Sequence, residues 1–289
     1  MIPSTIQMRR LTPDDFEAFK QMQTGIENDY IARIFPYSVK EEATYGVFIG
    51  DQLVSLAAYT IFAGRYAVLG RLRTDLRFRG RGLATQLLAK LCRELDNRHP
   101  EIVWIGLATE LSNHPVQHIA HRLGMKRLSA YYSCVLENSW EEMKGLVHGA
   151  AEEWEAVIGH NEKYELLKSV GFKDNPLHIF PYECYYSLPY EEALWSENYL
   201  SGCSFWRRGA DFFALMEDTK GSPYLHVKYF GENSFAQPGL WARIITEARK
   251  TDRSIWVDLP YQKGLPEETA SFSSRVPWTC YGRISQQTS

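Results

Sequence analysis

The chain has 289 residues, 45% of them hydrophobic and 23% charged, which excludes a disordered, collagen-like or coiled-coil protein and is enough for two domains. A balance of 32 Lys and Arg against 35 Asp and Glu gives a net charge of −3, so a dedicated nucleic-acid or anionic-membrane binder is not expected. The five cysteines are odd in number and scattered. No disulfide framework and no metal site are expected, and Cys92 and Cys134, which lie in a helix pattern and a strand pattern, are expected to be buried free thiols. Residues 1–15 contain no apolar signal core, so a cytoplasmic protein is expected.

The first part of the chain alternates strand and helix patterns. A strand is predicted over 6–11, and Thr12 and Pro13 then indicate a helix that continues to Ile26. The following elements are predicted as strands at 45–49, 53–62 and 66–74, a helix at 82–97, a strand at 101–108, a helix at 114–123 and a strand at 125–136. This order predicts an α/β fold with a mixed sheet and helices on both faces.

The second part repeats this pattern more weakly. Residues 138–165, which include Trp140, are predicted to be a connecting helical region. Further elements are predicted as strands at 212–217, 225–230, 254–259 and 276–284 and a helix from Pro238 to Lys250. The helix–strand unit at 82–105 and the one at 239–257 indicate either an internal duplication or a chance pairing. We therefore predict domains at 1–137 and 166–289, joined by 138–165.

The chemically informative segment runs from Leu72 to Ala84, where a strand ends, a loop follows and a helix begins. Gly80 and Gly82 allow the backbone to approach a ligand and to present several N–H groups together. The start of the helix adds partial positive charge. Forked donors suited to phosphate are contributed by Arg73, Arg77, Arg79 and Arg81. The segment predicts a pyrophosphate-binding loop, and the alternative is a solvated basic turn.

This loop is not a Walker loop, because no Gly-Lys-Ser/Thr follows, and it is not a Rossmann fingerprint, because the third glycine and the glycine spacing do not fit. It resembles the pyrophosphate loop of the GNAT acyltransferase superfamily, Q/R-x-x-G-x-G/A, with Arg79, Gly82 and Ala84 at the motif positions. Asn113 and the Leu-Gly-Met sequence at 123–125 also match that family's pattern. The resemblance covers about residues 5–136. It implies a GNAT-like fold, and the weaker repeat implies two tandem GNAT-like domains with a degenerate second copy.

The resemblance further implies an N-acetyltransferase that uses acetyl-CoA as co-substrate. An amine of a small molecule or peptide would attack the thioester directly in a ternary complex. Helix 1 and a loop at 35–37 would line part of the acceptor pocket. The residues implied in holding the cofactor are Leu72, Arg73 and Thr74 for the pantetheine arm, Arg79, Gly80, Arg81, Gly82, Leu83, Ala84 and Thr85 for the pyrophosphate, and Asn113.

The catalytic groups depart from the family pattern. The usual Glu is missing from the strand at 66–74, so Glu110 is the candidate general base, with Asp75 behind it. The Tyr that usually acts as general acid is replaced by Ala120. His121 is therefore a candidate for protonating the leaving thiolate, with Tyr131 or Tyr132 on the neighbouring strand as the alternatives.

Three interpretations remain: an acetyltransferase, a non-catalytic acyl-CoA-binding or sensing protein, and a protein-interaction module built on the Trp-rich second half. The second half has Glu232 and Pro238 where the first half has arginines and glycines. A carboxylate repels phosphate, and proline has no N–H to donate. We therefore predict one CoA per chain. The sequence does not indicate the oligomeric state.

Overall fold

The computed structural model describes residues 6–137, 147–171 and 175–286, and it forms two compact units. The first unit comprises Met1–Ala108, Asn113–Lys126 and Tyr281–Ser289, and the second comprises Thr109–Ser112 and Arg127–Cys280. Both units are therefore discontinuous in sequence, which the predicted division at 137 and 165 does not anticipate.

The described residues of the first unit form a mixed sheet and four α-helices. Its elements are β1 (Ile6–Arg10), α1 (Phe16–Lys20), α2 (Ile31–Glu41), β2 (Ala43–Ile49), β3 (Gln52–Phe62), β4 (Tyr66–Thr74), α3 (Leu83–Arg98), β5 (Trp104–Glu110, whose last two residues belong to the second unit) and α4 (His114–Arg122). Strands β1 to β4 pair antiparallel in chain order, and β4 pairs parallel with β5. The predicted α/β class with a mixed sheet is confirmed.

Helix α3 supplies much of the core of the first unit. The leucines that predicted this helix by their spacing are all buried, at Leu83, Leu87, Leu88, Leu91 and Leu95. They pack with β-strand residues such as Val54, Ala67 and Ile105 in one cluster. Burying a leucine stabilises a fold by about 1.5–3 kcal/mol, so this stripe fixes the helix against the sheet.

Two predictions near the N-terminus are wrong. The first helix ends at Lys20, and Ile26 lies outside it with 47% of its surface exposed. The loop predicted at 35–37 is part of α2, which contains Pro36. A proline inside a helix normally costs about 3 kcal/mol. Here Phe35 is buried against Phe19, with ring centroids 5.3 Å apart, and this packing favours the helix despite the proline.

The second unit also contains a mixed sheet. Its elements are β6 (Lys126–Leu136, of which Lys126 belongs to the first unit), β7 (Glu155–Val157), α5 (His160–Ser169), β8 (Phe180–Glu183), β9 (Tyr186–Leu188), α6 (Glu197–Ser201), β10 (Cys203–Arg208), β11 (Asp211–Thr219), β12 (Pro223–Tyr229), α7 (Leu240–Thr251), β13 (Ser254–Pro260) and β14 (Ser274–Ile284, of which Tyr281–Ile284 belong to the first unit). Strands β7, β10, β11 and β12 pair antiparallel in that order, β12 pairs parallel with β13, and β13 pairs antiparallel with β6.

The region predicted as a helical connection contains the strand β7, which pairs with β10, before α5 begins. Trp140 lies outside the described residues. The segment β12–α7–β13 repeats β4–α3–β5, with a parallel strand pair in both. Both helices begin after a left-handed glycine, at φ +73° for Gly82 and +72° for Gly239. These matches favour an internal duplication over a chance pairing.

Each unit is completed by strand residues from the other half of the sequence. Strand β6 follows α4 along the chain but pairs with β13 of the second unit. The end of β14 belongs to the first unit, where Arg283 forms an ion pair with Asp96 at 2.7 Å. The Ser285 N–H also donates to the Val103 carbonyl at 2.9 Å. The first unit therefore depends on residues from the far end of the chain.

All five cysteines are buried and free, as predicted for Cys92 and Cys134. Within the described ranges, no helix has both the length and the apolar character needed to cross a membrane.

The second unit encloses an unusual group of charges. His226 and Lys228 on β12 are 0% and 1% exposed. The Lys228 ammonium donates to the carbonyls of Pro181 and Tyr182 and to Nδ1 of His226, the last at 3.1 Å. Nε2 of His226 lies 3.6 Å from Oδ2 of Asp258. Burial, together with the charge of Lys228, lowers the pKa of His226 to about 4. The imidazole is therefore neutral at pH 7.

We expect this histidine to make the fold acid-sensitive. Its pKa is about 6.5 in an unfolded chain, so between pH 6.5 and about 4 the unfolded state binds more protons than the folded state. The free energy of unfolding should fall by about 3 kcal/mol across that window as the pH is lowered. Urea unfolding of the wild type and of His226→Gln, with His160→Gln as the surface control, measures this. An equal pH slope in wild type and His226→Gln would rule out His226 as the cause.

Candidate functional site

The end of β4 separates from β5 before the informative loop begins. The two strands pair only from Tyr66–Trp104 to Leu69–Leu107. An irregularity in the β3–β4 register follows, and Arg71 there has φ +55°. A bulge of this kind bends a strand away from its neighbour. The backbone of residues 72–74 therefore lies beyond the ladder with β5, where the resemblance implies the pantetheine arm.

The loop ends in a left-handed turn that starts α3. Gly80 and Gly82 have φ +77° and +73°, a conformation that strongly favours glycine. A Cβ atom on Gly80 would meet no atom within 4 Å, so the space above the turn is unfilled. The first helical hydrogen bond is donated by Gln86 to the Gly82 carbonyl at 3.0 Å. The N–H groups of residues 83–85 therefore have no acceptor inside the helix and can bind an anion.

The buried side chain of Asp75 holds this loop in place through hydrogen bonds and an ion pair. Its carboxylate is 0% exposed and accepts hydrogen bonds from the backbone N–H groups of Gln23 and Arg77, at 3.1 and 2.9 Å. The Arg77 guanidinium forms a further ion pair with it at 2.6 Å. This pairing with Arg77 holds the pKa of Asp75 far below its usual range, against the effect of burial. Asp75 is therefore a structural carboxylate, and its environment argues against a role as general base.

The four arginines of the loop do not act alike. Arg73 is paired with Asp29 at 2.7 Å, and Arg77 is paired with Asp75. Arg79 donates to the Thr24 carbonyl at 2.8 Å, and Arg81 donates to the Arg77 carbonyl at 3.3 Å. Within the described ranges, the ion pairs of the loop involve only the first two arginines. The positive charge left for an anion comes from Arg79 and Arg81, both of which are exposed.

The other predicted site residues lie in different surroundings. Asn113 caps α4, since its Oδ1 accepts from the Val116 N–H at 3.5 Å. His121 is exposed on α4. Glu110 is the exposed last residue of β5, and it belongs to the second unit. The Glu110 side chain is exposed to solvent, as a general base must be. Asn113 has a structural role, since it caps α4.

Tyr131 is placed in the core of the second unit. It is 1% exposed and packs with Leu177, Ile179 and Cys280. Burial raises its pKa well above the usual value. A phenol with that pKa, enclosed by apolar side chains, does not deliver a proton to a surface thiolate. The structure therefore argues against Tyr131 as the general acid.

Tyr281, which no sequence pattern indicates as a site residue, belongs to the first unit. Its ring is 2% exposed and belongs to the same cluster as Ala120, the residue that replaces the family tyrosine. The hydroxyl donates to Oε1 of Gln117 at 3.2 Å, and the ring meets His121 edge-on with centroids 5.2 Å apart. No local pattern could indicate this, because Tyr281 and α4 lie about 160 residues apart in sequence.

The corresponding turn of the second unit is filled by its own chain. The Gly239 N–H donates to the His148 carbonyl at 2.7 Å, and a Cβ atom on Gly239 would lie 2.1 Å from the Ala150 carbonyl oxygen. Arg243 binds the Ala151 carbonyl at 2.9 Å, and the Trp154 indole donates to the Pro238 carbonyl at 2.9 Å. Residues 148–154 therefore occupy the start of α7, where an anion would otherwise bind.

Comparison with known proteins agrees with this geometry. Residues 6–125 match the model of the acetyltransferase (GNAT) family. A GCN5-related N-acetyltransferase from Sphaerobacter thermophilus superposes with a TM-score of 0.62 at 13% identity, over 100% of both chains. A tandem GNAT protein from the clavulanic acid biosynthesis pathway superposes with a TM-score of 0.53 at 13% identity, over 99% of this chain and 100% of that one. No curated protein matches the chain in sequence.

At these identities the two structures show the fold alone, and they show it for the whole chain. The expected tandem GNAT-like fold is thereby confirmed. The family model adds the sequence evidence for the part that contains the glycine turn. Residues 6–125 therefore form a domain of the acetyltransferase (GNAT) family, which consists of acyl-transferring enzymes.

Proposed function

We propose that the protein is an N-acetyltransferase that moves the acetyl group of acetyl-CoA to a primary amine of a small molecule or peptide. The observation that carries this proposal is the turn at Gly80 and Gly82. It joins a strand that leaves its neighbour to a helix whose first N–H groups have no internal acceptor. Arg79 and Arg81 add positive charge there. Together these groups suit a pyrophosphate.

The reaction would proceed by direct attack. The lone pair of the amine nitrogen attacks the thioester carbonyl carbon, a C–N bond forms and the C–S bond breaks. One amine proton passes to a general base, for which Glu110 is the proposed group, and the CoA thiolate takes up a proton. A thiol with a pKa near 8.5 is a tolerable leaving group, so the absence of the family tyrosine at Ala120 slows the step without blocking it. His121 is the proposed proton donor.

A non-catalytic acyl-CoA-binding protein is the second candidate. Two observations favour it: Ala120 is 0% exposed and carries no acid, and Tyr131 is enclosed in a core. Turnover separates the two candidates, because only the enzyme forms free CoA from acetyl-CoA in the presence of an amine. We propose a cytoplasmic location, supported by the five free, buried thiols.

We expect acetyl-CoA to raise the thermal midpoint with a stoichiometry of one per chain. At a concentration of about 100 times Kd, a ligand of the folded state adds about 2.7 kcal/mol of stability. A single site is expected because residues 148–154 fill the second turn. Differential scanning fluorimetry and calorimetric titration with CoA measure both quantities. No shift at about 1 mM acetyl-CoA would contradict CoA binding, and two sites per chain would contradict the occlusion.

We expect Glu110→Gln to lower the acetylation rate about 100-fold at pH 7 and much less near the pKa of the acceptor amine, because a base matters most while the amine is protonated. The affinity for CoA should not change. Steady-state kinetics from pH 6.5 to 10 measure this, with Glu27→Gln as the exposed control. An equal loss at every pH would point to a structural role for Glu110.

A further inference from the structure

The second unit contains a pocket whose lining includes Glu110, the proposed base, together with residues that have no role in the proposed reaction. Its volume is about 280 Å³, and ligand pockets usually range from about 300 to 1,000 Å³, so it suits a small molecule. Four aromatic rings line it, at Tyr185, Tyr224, Trp256 and Trp278. Among the described residues, the charged side chains of its lining are those of Glu110 and Glu137.

The aromatic rings form a connected wall. The centroids of Tyr185 and Trp256 lie 4.4 Å apart in an edge-to-face arrangement, and those of Tyr224 and Trp256 lie 5.4 Å apart in the same arrangement. The ring centroids of Trp278 and Tyr185 lie 5.9 Å apart, also in an edge-to-face arrangement. Each ring is therefore held by another, which keeps the wall rigid before any ligand enters.

Tyr185 is held in a strained backbone conformation at the edge of the pocket. It has φ +68°, which is uncommon for a bulky side chain, and it remains 41% exposed. The neighbouring Cys184 N–H donates to Asp218 at 2.9 Å, and this bond helps to fix the turn between β8 and β9. Strain of this kind concentrates at ligand sites, where side-chain placement outweighs its cost.

The buried carboxylate of Asp258 holds two of the lining side chains in place. Trp256 and Ser133 both line the pocket, and both donate to Oδ1 of Asp258, from the indole N–H at 3.1 Å and from the hydroxyl at 2.8 Å. Asp258 itself is 6% exposed. These two hydrogen bonds hold the lining side chains of Trp256 and Ser133 in one geometry. The same hydrogen bonds place the carboxylate of Asp258 next to the lining, in addition to Glu110 and Glu137.

The charge of the pocket selects the ligand class. Glu110 and Glu137 are exposed, and neither belongs to an ion pair in the described ranges. Carboxylates repel an anion, whereas aromatic faces attract an organic cation. A bare metal ion is a poor fit, because aromatic rings supply no ligands, and the described residues contain no group of three or more metal-binding side chains.

We propose that this pocket binds a small organic cation, an alkylammonium or arylalkylammonium ion, with its charge toward Glu110 and Glu137 and its hydrocarbon part against the aromatic wall. A primary ammonium ion of this class is the protonated form of the amine that acetyl transfer consumes. Binding of the cation in this pocket is argued from the lining alone and does not depend on the proposed function.

The test is calorimetric titration of the full chain with benzylammonium chloride, tetramethylammonium chloride, benzyl alcohol and sodium benzoate. Both cations should bind, benzyl alcohol at least about tenfold more weakly than benzylammonium, and benzoate not measurably. Raising the salt from about 0.05 to 0.5 M should weaken the cations only. Equal binding of benzylammonium and benzyl alcohol would overturn the proposal.

Two variants locate the site. Glu137→Gln should weaken benzylammonium about five- to tenfold, and the exposed Glu267→Gln should leave it unchanged. Tyr185→Gly relieves the left-handed strain, so the fold should persist while cation affinity falls at least about tenfold. Unchanged affinity in both pocket variants would overturn the proposal. Cation binding without any thermal shift by acetyl-CoA would instead refute the acetyltransferase and leave the pocket standing.

Discussion

Replacing Gly82 with Asp is expected to reduce CoA affinity by a factor of about 100 or more while the protein still folds. A Cβ atom there would lie near only the flexible end of Gln86, at 3.7 Å, so the added side chain has room. The new carboxylate would stand at the start of α3, beside the N–H groups proposed to hold the pyrophosphate. Like charges brought together in this way cost several kcal/mol, and about 1.4 kcal/mol corresponds to a factor of ten.

The backbone strain of this change must be separated from its charge. Gly64 offers the matched control, since it also has a positive φ, +67°, and a Cβ atom there would meet nothing within 4 Å. Gly64→Asp should lose as much stability as Gly82→Asp and keep its CoA affinity. Calorimetry and thermal melts of both variants measure this. Wild-type affinity in Gly82→Asp would show that the loop is a solvated turn.

Replacing Tyr281 with Ala is expected to destabilise the first unit by about 3–5 kcal/mol, the usual cost of deleting a buried aromatic ring. The ring is 2% exposed and packs in the cluster of α3 and α4. In a unit of this size the loss should lower the melting temperature on the order of 10 °C. Chemical unfolding followed by circular dichroism measures it.

Tyr281→Phe is the companion variant. It keeps the ring against His121 and removes only the hydroxyl bond to Gln117, so the expected loss is about 1 kcal/mol. A loss in Tyr281→Ala no larger than in Tyr281→Phe would mean that the end of β14 is not part of the core. A normal Tm with a much lower turnover in Tyr281→Phe would indicate that the hydroxyl acts in the reaction.

The elements that could be predicted were those whose pattern is local. The leucine stripe of α3 and the bounds of β4 agree with the structure because helical period and turn signals act within a few residues. Residues 35–37 of α2 were predicted as a loop because Pro36 argues against a helix, and the packing of Phe35 on Phe19 outweighs that preference. The strand β7 was missed because its three residues are too few to show an alternating pattern.

The candidate site shows the same limit. The glycine turn was recognisable from its spacing, because strand, loop and helix follow one another directly. The arginines looked equivalent, and only the structure separates Arg73 and Arg77, which are paired with aspartates, from Arg79 and Arg81. The obstruction of the second turn by residues 148–154 depends on contacts across about 90 residues, and no sequence pattern encodes them.

The first unit contains the end of β14, and the second unit contains most of β6, and this has a consequence for synthesis on the ribosome. The segments that form β1 to α4 are synthesised long before Tyr281 and Arg283. Until then Asp96 lacks its ion pair with Arg283, and Gln117 on α4 lacks its hydrogen bond from Tyr281. Strand β6 emerges early, yet its partner β13 follows more than 100 residues later. At about 5–20 residues per second, this delay lasts roughly 5–30 s, during which apolar surface is open to chaperones or to other nascent chains. The first unit therefore cannot complete its fold until the last strand has been translated. Strands of neighbouring nascent chains on one polysome could pair wrongly during this delay.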